Sequence, residues 1–206
     1  MMRIYRELEQ GTPEWFITRL GIPTASMYSA ILANGRGGEP SKTRQTYMYK
    51  LAGEVLTGEP SEQFQNRHTQ RGHEHEPFAR NAYSFLTGND PETIGFIRNG
   101  NTGASPDALI ETDGLLEIKS KLPHLHIEGL ERDEVPSEHL PQVQGQLWVA
   151  EREWCDFVSY CPKIKLFHKR VYRDEQLIRT IATEVDRFNA ELAEVVERHK
   201  QVSVEF

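Results

Sequence analysis

Three residues have the types and spacing for joint chemistry: Asp107 and, ten positions on, Glu117 and Lys119 within Leu115-Leu116-Glu117-Ile118-Lys119-Ser120-Lys121. Read as a strand, that stretch puts Glu117 and Lys119 on one face and Leu116 and Ile118 on the other. Solvation alone does not call for a carboxylate and an ammonium side by side on an otherwise apolar strand. The preceding segment, Ala104 to Glu111, also reads as a strand, and Thr112-Asp113-Gly114 closes the two into a hairpin. With Thr112 to Gly114 as the loop and Gly114 left-handed, Glu111 faces Leu115, Asp107 faces Lys119, and the three polar groups converge. A two-residue loop would place Asp107 opposite Ile118 and separate them. Two neighbouring carboxylates repel unless a cation compensates, and the hard oxygen donors of Asp107, Glu117 and the Ile118 carbonyl suit Mg²⁺ or Mn²⁺. Lys119 could then orient or deprotonate a water, and the chemistry this combination performs is phosphodiester hydrolysis.

The rest of the chain must hold that hairpin in place. Thr12-Pro13-Glu14 opens a short helix through Arg19, with Gly21 and Pro23 closing it, and Thr24 or Ser26 starts a second. Asn34 to Gly38 is a loop read as mobile. Lys42 to Thr57 carries Tyr47, Leu51 and Val55 at helical spacing, and Arg67 to Leu86 carries Phe78, Ala82, Tyr83 and Phe85 on a stripe ending at Gly88. The period then changes, giving strands at Thr93 to Arg98, Ala104 to Glu111, Leu115 to Lys121, Trp154 to Tyr160 and Lys165 to Arg173. A helix over Gln142 to Glu151 packs on the sheet, and Asp174 to about Lys200 forms a last helix with Leu177, Ile181, Val185, Phe188, Leu192 and Val195 as its stripe. The expected fold is α/β (α+β), one domain over residues 1–206. It has an N-terminal helical region (about 1–90), a mixed central sheet flanked by helices (about 91–173) and a C-terminal helix (about 174–200).

Composition sets bounds without naming a function. At 206 residues, with 37% hydrophobic and 27% charged residues, the chain can bury its own core and is not disordered. No apolar run reaches the roughly 20 residues of a membrane span, and the start shows no secretion signal, so a cytoplasmic location is expected. Cys155 and Cys161 fit neither a CxxC pair nor a four-thiolate site and read as reduced structural thiols. The net charge of -7 repels polyanions, so a nucleic-acid surface must be local, enclosed or metal-assisted.

Asp107 followed by Glu117-Ile118-Lys119, with Pro106 in front, resembles the PD-(D/E)XK nuclease signature. Further segments run in the order seen in the phage lambda exonuclease family of YqaJ-like alkaline exonucleases, which are restriction-endonuclease-like. They are Trp15, Arg19-Leu20-Gly21-Ile22-Pro23-Thr24-Ala25-Ser26, Gly72 with Glu76 and Ala79-Arg80, Ser105-Pro106-Asp107, and Gln142-Val143-Gln144 with Trp148. The resemblance covers roughly residues 10 to 165. It implies an enzyme degrading one strand of linear double-stranded DNA 5′→3′, leaving 3′ overhangs, as a ring-shaped homotrimer with a single-strand annealing protein as partner. The expected setting is a phage or prophage protein in a bacterial host. Carried over by position, it makes Asp107, Glu117 and Lys119 catalytic. Glu76 joins Asp107, Glu117 and the Ile118 carbonyl around two Mg²⁺ ions, and Arg19, Ser26, Ser105 and Gln144 form a pocket for the 5′-terminal phosphate. Trp15 is a possible DNA contact. The 128–137 connection shows no correspondence.

Simpler readings stand beside these. Glu76 could form only a helix-surface pair with Arg80, Arg19 could serve a helix C-terminus, and Trp15 could be core. His73-Glu74-His75 and His124-Leu125-His126 lack a third ligand for zinc. Gln142 and Gln144 cannot both face one ligand from a regular helix; Gln144 is the residue taken for the pocket, with Gln142 structural or contacting a neighbour. The alternatives for function are an endonuclease on the same scaffold and a non-catalytic protein that binds DNA ends.

Overall fold

The computed structural model describes residues 1–35, 40–61 and 67–200. Most of the loop expected at Asn34 to Gly38 therefore lies outside the described residues. The chain begins with a strand the sequence reading missed, β1 (Met2–Tyr5), an edge element whose Arg3 and Tyr5 obscure any apolar alternation. Helix α1 (Pro13–Thr18) follows, its Thr12 hydroxyl accepting from the Trp15 N–H and Pro13 filling the first turn. A single 3-10 turn leads into α2 (Tyr28–Leu32), and α3 (Lys42–Thr57) is capped by Ser41 and stopped by left-handed Gly58. Helix α4 (Arg67–Thr87) precedes β2 (Phe96–Asn99), β3 (Thr102–Ala104), β4 (Ala108–Ile110) and β5 (Gly114–Ser120). Then come α5 (Pro123–Arg132), α6 (Leu140–Ala150), β6 (Trp154–Tyr160), β7 (Phe167–Tyr172) and α7 (Glu175–His199).

The single mixed sheet expected is two sheets. An antiparallel one runs β1-β2-β3, and a mixed one runs β4-β5-β6-β7, in which only the β5–β6 pairing is parallel. The strand read as continuous from Ala104 to Glu111 breaks at Ser105-Pro106-Asp107. Proline offers no N–H to a ladder, and there the chain leaves one sheet and enters the other. The parallel β5–β6 step demands a crossover, and α5 and α6 supply it.

Helices cover both faces of the mixed sheet. On one, Ala79 and Tyr83 of α4 meet Ala108, Ile110, Leu116, Ile118 and Val158. On the other, Val143 and Leu147 of α6 join Leu109, Leu115 and Phe157 in a larger core that includes α2, α3 and α7. Helix α7 buries the stripe the sequence showed, with Ile178 in place of the half-buried Leu177. Phe188 of that stripe stacks on Tyr47 at 5.6 Å between centroids. The α4 stripe differs from expectation: Ala79 and Tyr83 are buried, whereas Phe78 and Phe85 are 62% and 95% exposed. That helix carries aromatic residues on two faces, and the periodicity of the wrong set dominated. Val55 of α3 is likewise exposed, and Glu54 is buried next to it. Both cysteines are free and buried.

Candidate active site

The β4–β5 hairpin sets the site's geometry. Ala108 pairs with Leu116, Leu109 with Leu115 and Ile110 with Gly114, so the loop is Glu111 to Asp113, one residue earlier than expected. Glu111 is the left-handed residue, with φ 47°. Gly114 lies inside the strand for another reason, since a Cβ there would sit 2.3 Å from the Trp154 ring. One step beyond the last pair Asp107 comes opposite Glu117, not Lys119. This correction moves the partner by two residues and preserves the face, because side chains alternate with period two.

Asp107 Oδ2 accepts from the Ile118 N–H at 2.5 Å. Glu117 is 2% exposed and is gripped by three donors. Lys119 Nζ lies 2.5 Å and Gln142 Nε2 2.7 Å from its Oε1, and Gln146 Nε2 lies 2.6 Å from its Oε2. Lys119 also donates to Gln142 Oε1 at 3.1 Å. Glu76 comes in from α4, paired with Arg80 at 3.0 Å as the simpler reading held. It also lines a cleft of about 430 Å³ together with Asp107, His73 and Gln10.

The electrostatics show that the acids crowd one another. Burial first, then the charges of Glu117 and Glu76, push the Asp107 carboxyl well above the usual carboxylate range, while Lys119 and the Ile118 N–H oppose the rise. Glu76 is raised by burial, with Arg80 and His73 pulling back and Glu117 adding to the shift. Burial pulls the Lys119 ammonium down, but Glu117 and Asp107 outweigh it and keep it above the ordinary lysine value. Among the described residues no three His, Cys or acidic side chains form a closed ligand set. The donor chemistry nevertheless fits a hard divalent cation: three carboxylates repelling one another beside a backbone carbonyl are oxygen ligands short of positive charge.

Of the residues expected to hold a terminal phosphate, two lie together. Arg19 and Ser26 line one cleft with Thr24 and Lys50. Arg19 lies over the Trp15 ring at 3.7 Å, donates to Thr24 Oγ1 at 3.1 Å, and has its Nε buried without a partner. Burial lowers its pKa to about 10, with Tyr47 and Glu54 opposing, so it stays cationic at neutral pH. Trp15 is fixed by its Nε1 donating to the Gly95 carbonyl at 2.9 Å. Ser105 Oγ is buried and unpartnered two residues before Asp107.

Gln144 is not in the pocket. It is 3% exposed, its Nε2 donates to the Tyr172 carbonyl at 2.9 Å and its Oε1 accepts from the Asp174 N–H at 2.8 Å, so its amide ties α6 to the start of α7. Helical spacing turns Gln142 and Gln146 together toward the sheet and Gln144 away. The four-residue interval between those two glutamines is the signal that could have found them. Of the two histidine pairs, His126 is fully buried with both ring nitrogens engaged, Nδ1 2.8 Å from Ser159 Oγ and Nε2 2.9 Å from the Lys165 carbonyl.

Residues 14–153, which include Glu76, Asp107, Glu117, Lys119, Gln142 and Gln146, match the YqaJ-like viral recombinase domain. The chain belongs to that family. A crystal structure of an alkaline exonuclease, LHK-Exo, from Laribacter hongkongensis matches at 37% identity and TM-score 0.82, covering 91% of this chain and 95% of that one. The structure of LHK-Exo in complex with dAMP matches at 38% identity and TM-score 0.83 over the same shares. A phage-related exonuclease from Haemophilus somnus 129PT matches at 16% identity and TM-score 0.68, covering 86% of this chain and 96% of that one, which shows the shared fold. Among curated proteins none matches. Family membership and the alkaline exonuclease structures support a nuclease function. No helix among the described residues is long and apolar enough to cross a membrane.

Proposed function

We propose that this YqaJ-like protein is a Mg²⁺-dependent exonuclease that degrades one strand of linear double-stranded DNA from its 5′ end. It releases mononucleotides and leaves 3′ overhangs for single-strand annealing. The observation that carries this reading is the meeting of Asp107, Glu117 and Lys119 on one face of β4–β5, with Glu76 reaching them from α4. Asp107, Glu117, the Ile118 carbonyl and Glu76 would hold the divalent ions, Mg²⁺ with Mn²⁺ as a substitute. The bound metal supplies positive charge to the scissile phosphate. Lys119, held between Glu117 and Gln142, aims its ammonium at the attacking water and steadies it as its proton is lost. Gln142 and Gln146 keep Glu117 in one rotamer, so the acid is organised before substrate arrives. Arg19, Ser26 and Ser105 are the donors assigned to the 5′-terminal phosphate; the unpartnered Arg19 Nε and Ser105 Oγ support this, each a buried donor without an acceptor.

The same reading includes a homotrimeric ring, a single-strand annealing protein as partner, and work in the cytoplasm of a phage-bearing bacterium. A time course with Mg²⁺ on linear duplex labelled at either 5′ or 3′ ends tests the core of it. Early release of 5′ label as mononucleotide, an intact closed circle and a surviving 3′-terminated strand are expected. Nicking of the circle, or release from the 3′ end first, overturns the proposal. Sedimentation checks the trimer.

A further inference from the structure

Lys121 is the next residue along the Glu117 and Lys119 face, and none of the roles above uses it. Its backbone N–H donates to the Tyr160 carbonyl at 3.0 Å, so strand geometry continues past Ser120 and keeps the side chain on that face. The ammonium lies 2.9 Å from His139 Nε2, while its ion-pair partner Glu138 stands 4.0 Å away with its side chain 67% exposed. His139 is itself fixed, its ring stacked on Phe157 with centroids 5.3 Å apart and planes 29° from parallel. Burial, then the fields of Lys121 and Lys119, lower its pKa to about 4, against a small opposing pull from Glu138. His139 is therefore an uncharged acceptor at neutral pH. It fixes the direction of the Lys121 ammonium, whose charge the exposed Glu138 at 4.0 Å offsets only in part. Lys119 is the contrast, neutralised by Glu117 at 2.5 Å.

We propose that Lys121, aimed by His139, binds the backbone phosphate immediately 3′ of the scissile one on the strand being degraded. Side chains two residues apart on a strand are spaced by about 6.7 Å, which matches one nucleotide step along an extended backbone. With Lys119 at the scissile phosphate, Lys121 stands one phosphate further on. An ammonium suits this task, giving charge without the planar specificity of a guanidinium, so the contact tolerates any base sequence. The inference rests on the exonuclease reading.

The test is single-turnover release of the first nucleotide from a 5′-phosphorylated duplex, in wild-type protein and Lys121→Met, each on two substrates. One substrate is unmodified and the other carries a neutral methylphosphonate at the second linkage. Each change alone is expected to weaken binding roughly tenfold, as loss of one charge-assisted contact does, and the two together no more than either. Lys121→Arg should restore most of the loss. His139→Phe keeps the ring against Phe157 but removes the acceptor, and should diminish the same coupling. The slope of log affinity against log salt should fall by about one for Lys121→Met. A merely structural lysine would move none of these couplings. If wild type fails to digest the unmodified duplex, the exonuclease reading falls and takes this proposal with it. Normal wild-type digestion with independent, multiplying losses overturns the proposal alone.

Discussion

Gln146→Leu separates organisation of the site from stability of the fold. Gln146 is 1% exposed and spends its amide N–H on Glu117 Oε2 at 2.6 Å, both partners lying out of water. Removing a hydrogen bond to a buried charged acceptor costs about 1.5–3 kcal/mol. The same substitution also removes Gln146 Oε1, which is buried with no partner, and relieving an unsatisfied oxygen returns about 1–3 kcal/mol. The two nearly offset, so stability should change by less than about 2 kcal/mol, or no more than about 8 °C in Tm for a chain of this size. Turnover should not be spared, because Glu117 then keeps only the donors on its Oε1 and can rotate. A displacement of that order costs roughly a hundredfold in kcat, with KM little changed. Urea or thermal unfolding followed by circular dichroism, beside steady-state digestion of linear duplex, reads both quantities. Near-normal kcat would show that Gln146 does not position Glu117. A Tm collapse beyond 8 °C would show that the orphan oxygen had been misjudged.

Lys119→Ala should abolish hydrolysis while end binding, measured by fluorescence anisotropy, persists; near-normal turnover would remove Lys119 from the chemistry. Arg19→Ala should erase the preference for 5′-phosphorylated over 5′-hydroxyl ends, and an unchanged ratio of kcat/KM for the two would refute the pocket. Asp156→Asn should destabilise the fold by about 1–3 kcal/mol in denaturant titrations, since it removes the charge of a buried carboxylate paired with the partly exposed Arg170 at 2.8 Å and weakens the acceptor of the Tyr83 hydroxyl at 2.7 Å. Burial alone would raise the Asp156 carboxyl, but Arg170, His168 and Tyr83 outweigh it and hold it below the usual carboxylate range. A depressed folded pKa means its contribution is present above the unfolded value near 3.9 and is lost as pH falls through the folded one, so the wild-type advantage over Asp156→Asn should shrink on acidification below about pH 4. An advantage that grows there would invert the sign.

Much of this was legible in the sequence where a single periodicity spoke. Helix α3 spans the expected Lys42 to Thr57 and buries Tyr47 and Leu51, β6 spans the expected strand, and α7 buries the expected stripe apart from Leu177. Where two signals competed, the reading slipped. Helix α4 has apolar residues on two faces, and tertiary packing chose the small Ala79 and the long Tyr83. Helix α5 buries His126 and leaves Leu125 and Ile127 exposed, so its apolar residues mark no core face, and its second half falls in the expected 128–137 connection. Alternation alone puts Asp107, Glu117 and Lys119 on one face, and it survives a two-residue error in pairing. The glutamines were missed because they work from an element distant in sequence: Gln142 and Gln146 meet Glu117 only when the crossover folds α6 onto β5.

The close approach of Trp154 to Gly114 has a consequence for assembly. The indole fits only over a residue without a side chain, and the neighbouring positions along β5 are Leu115 and Leu116. Sliding β5 by one residue against β6 would set Leu115 or Asp113 under that ring and turn Glu117 and Lys119 to the other face of the sheet. A misregistered sheet is thus penalised sterically, and the acidic face is assembled only in the register that seats the indole on Gly114.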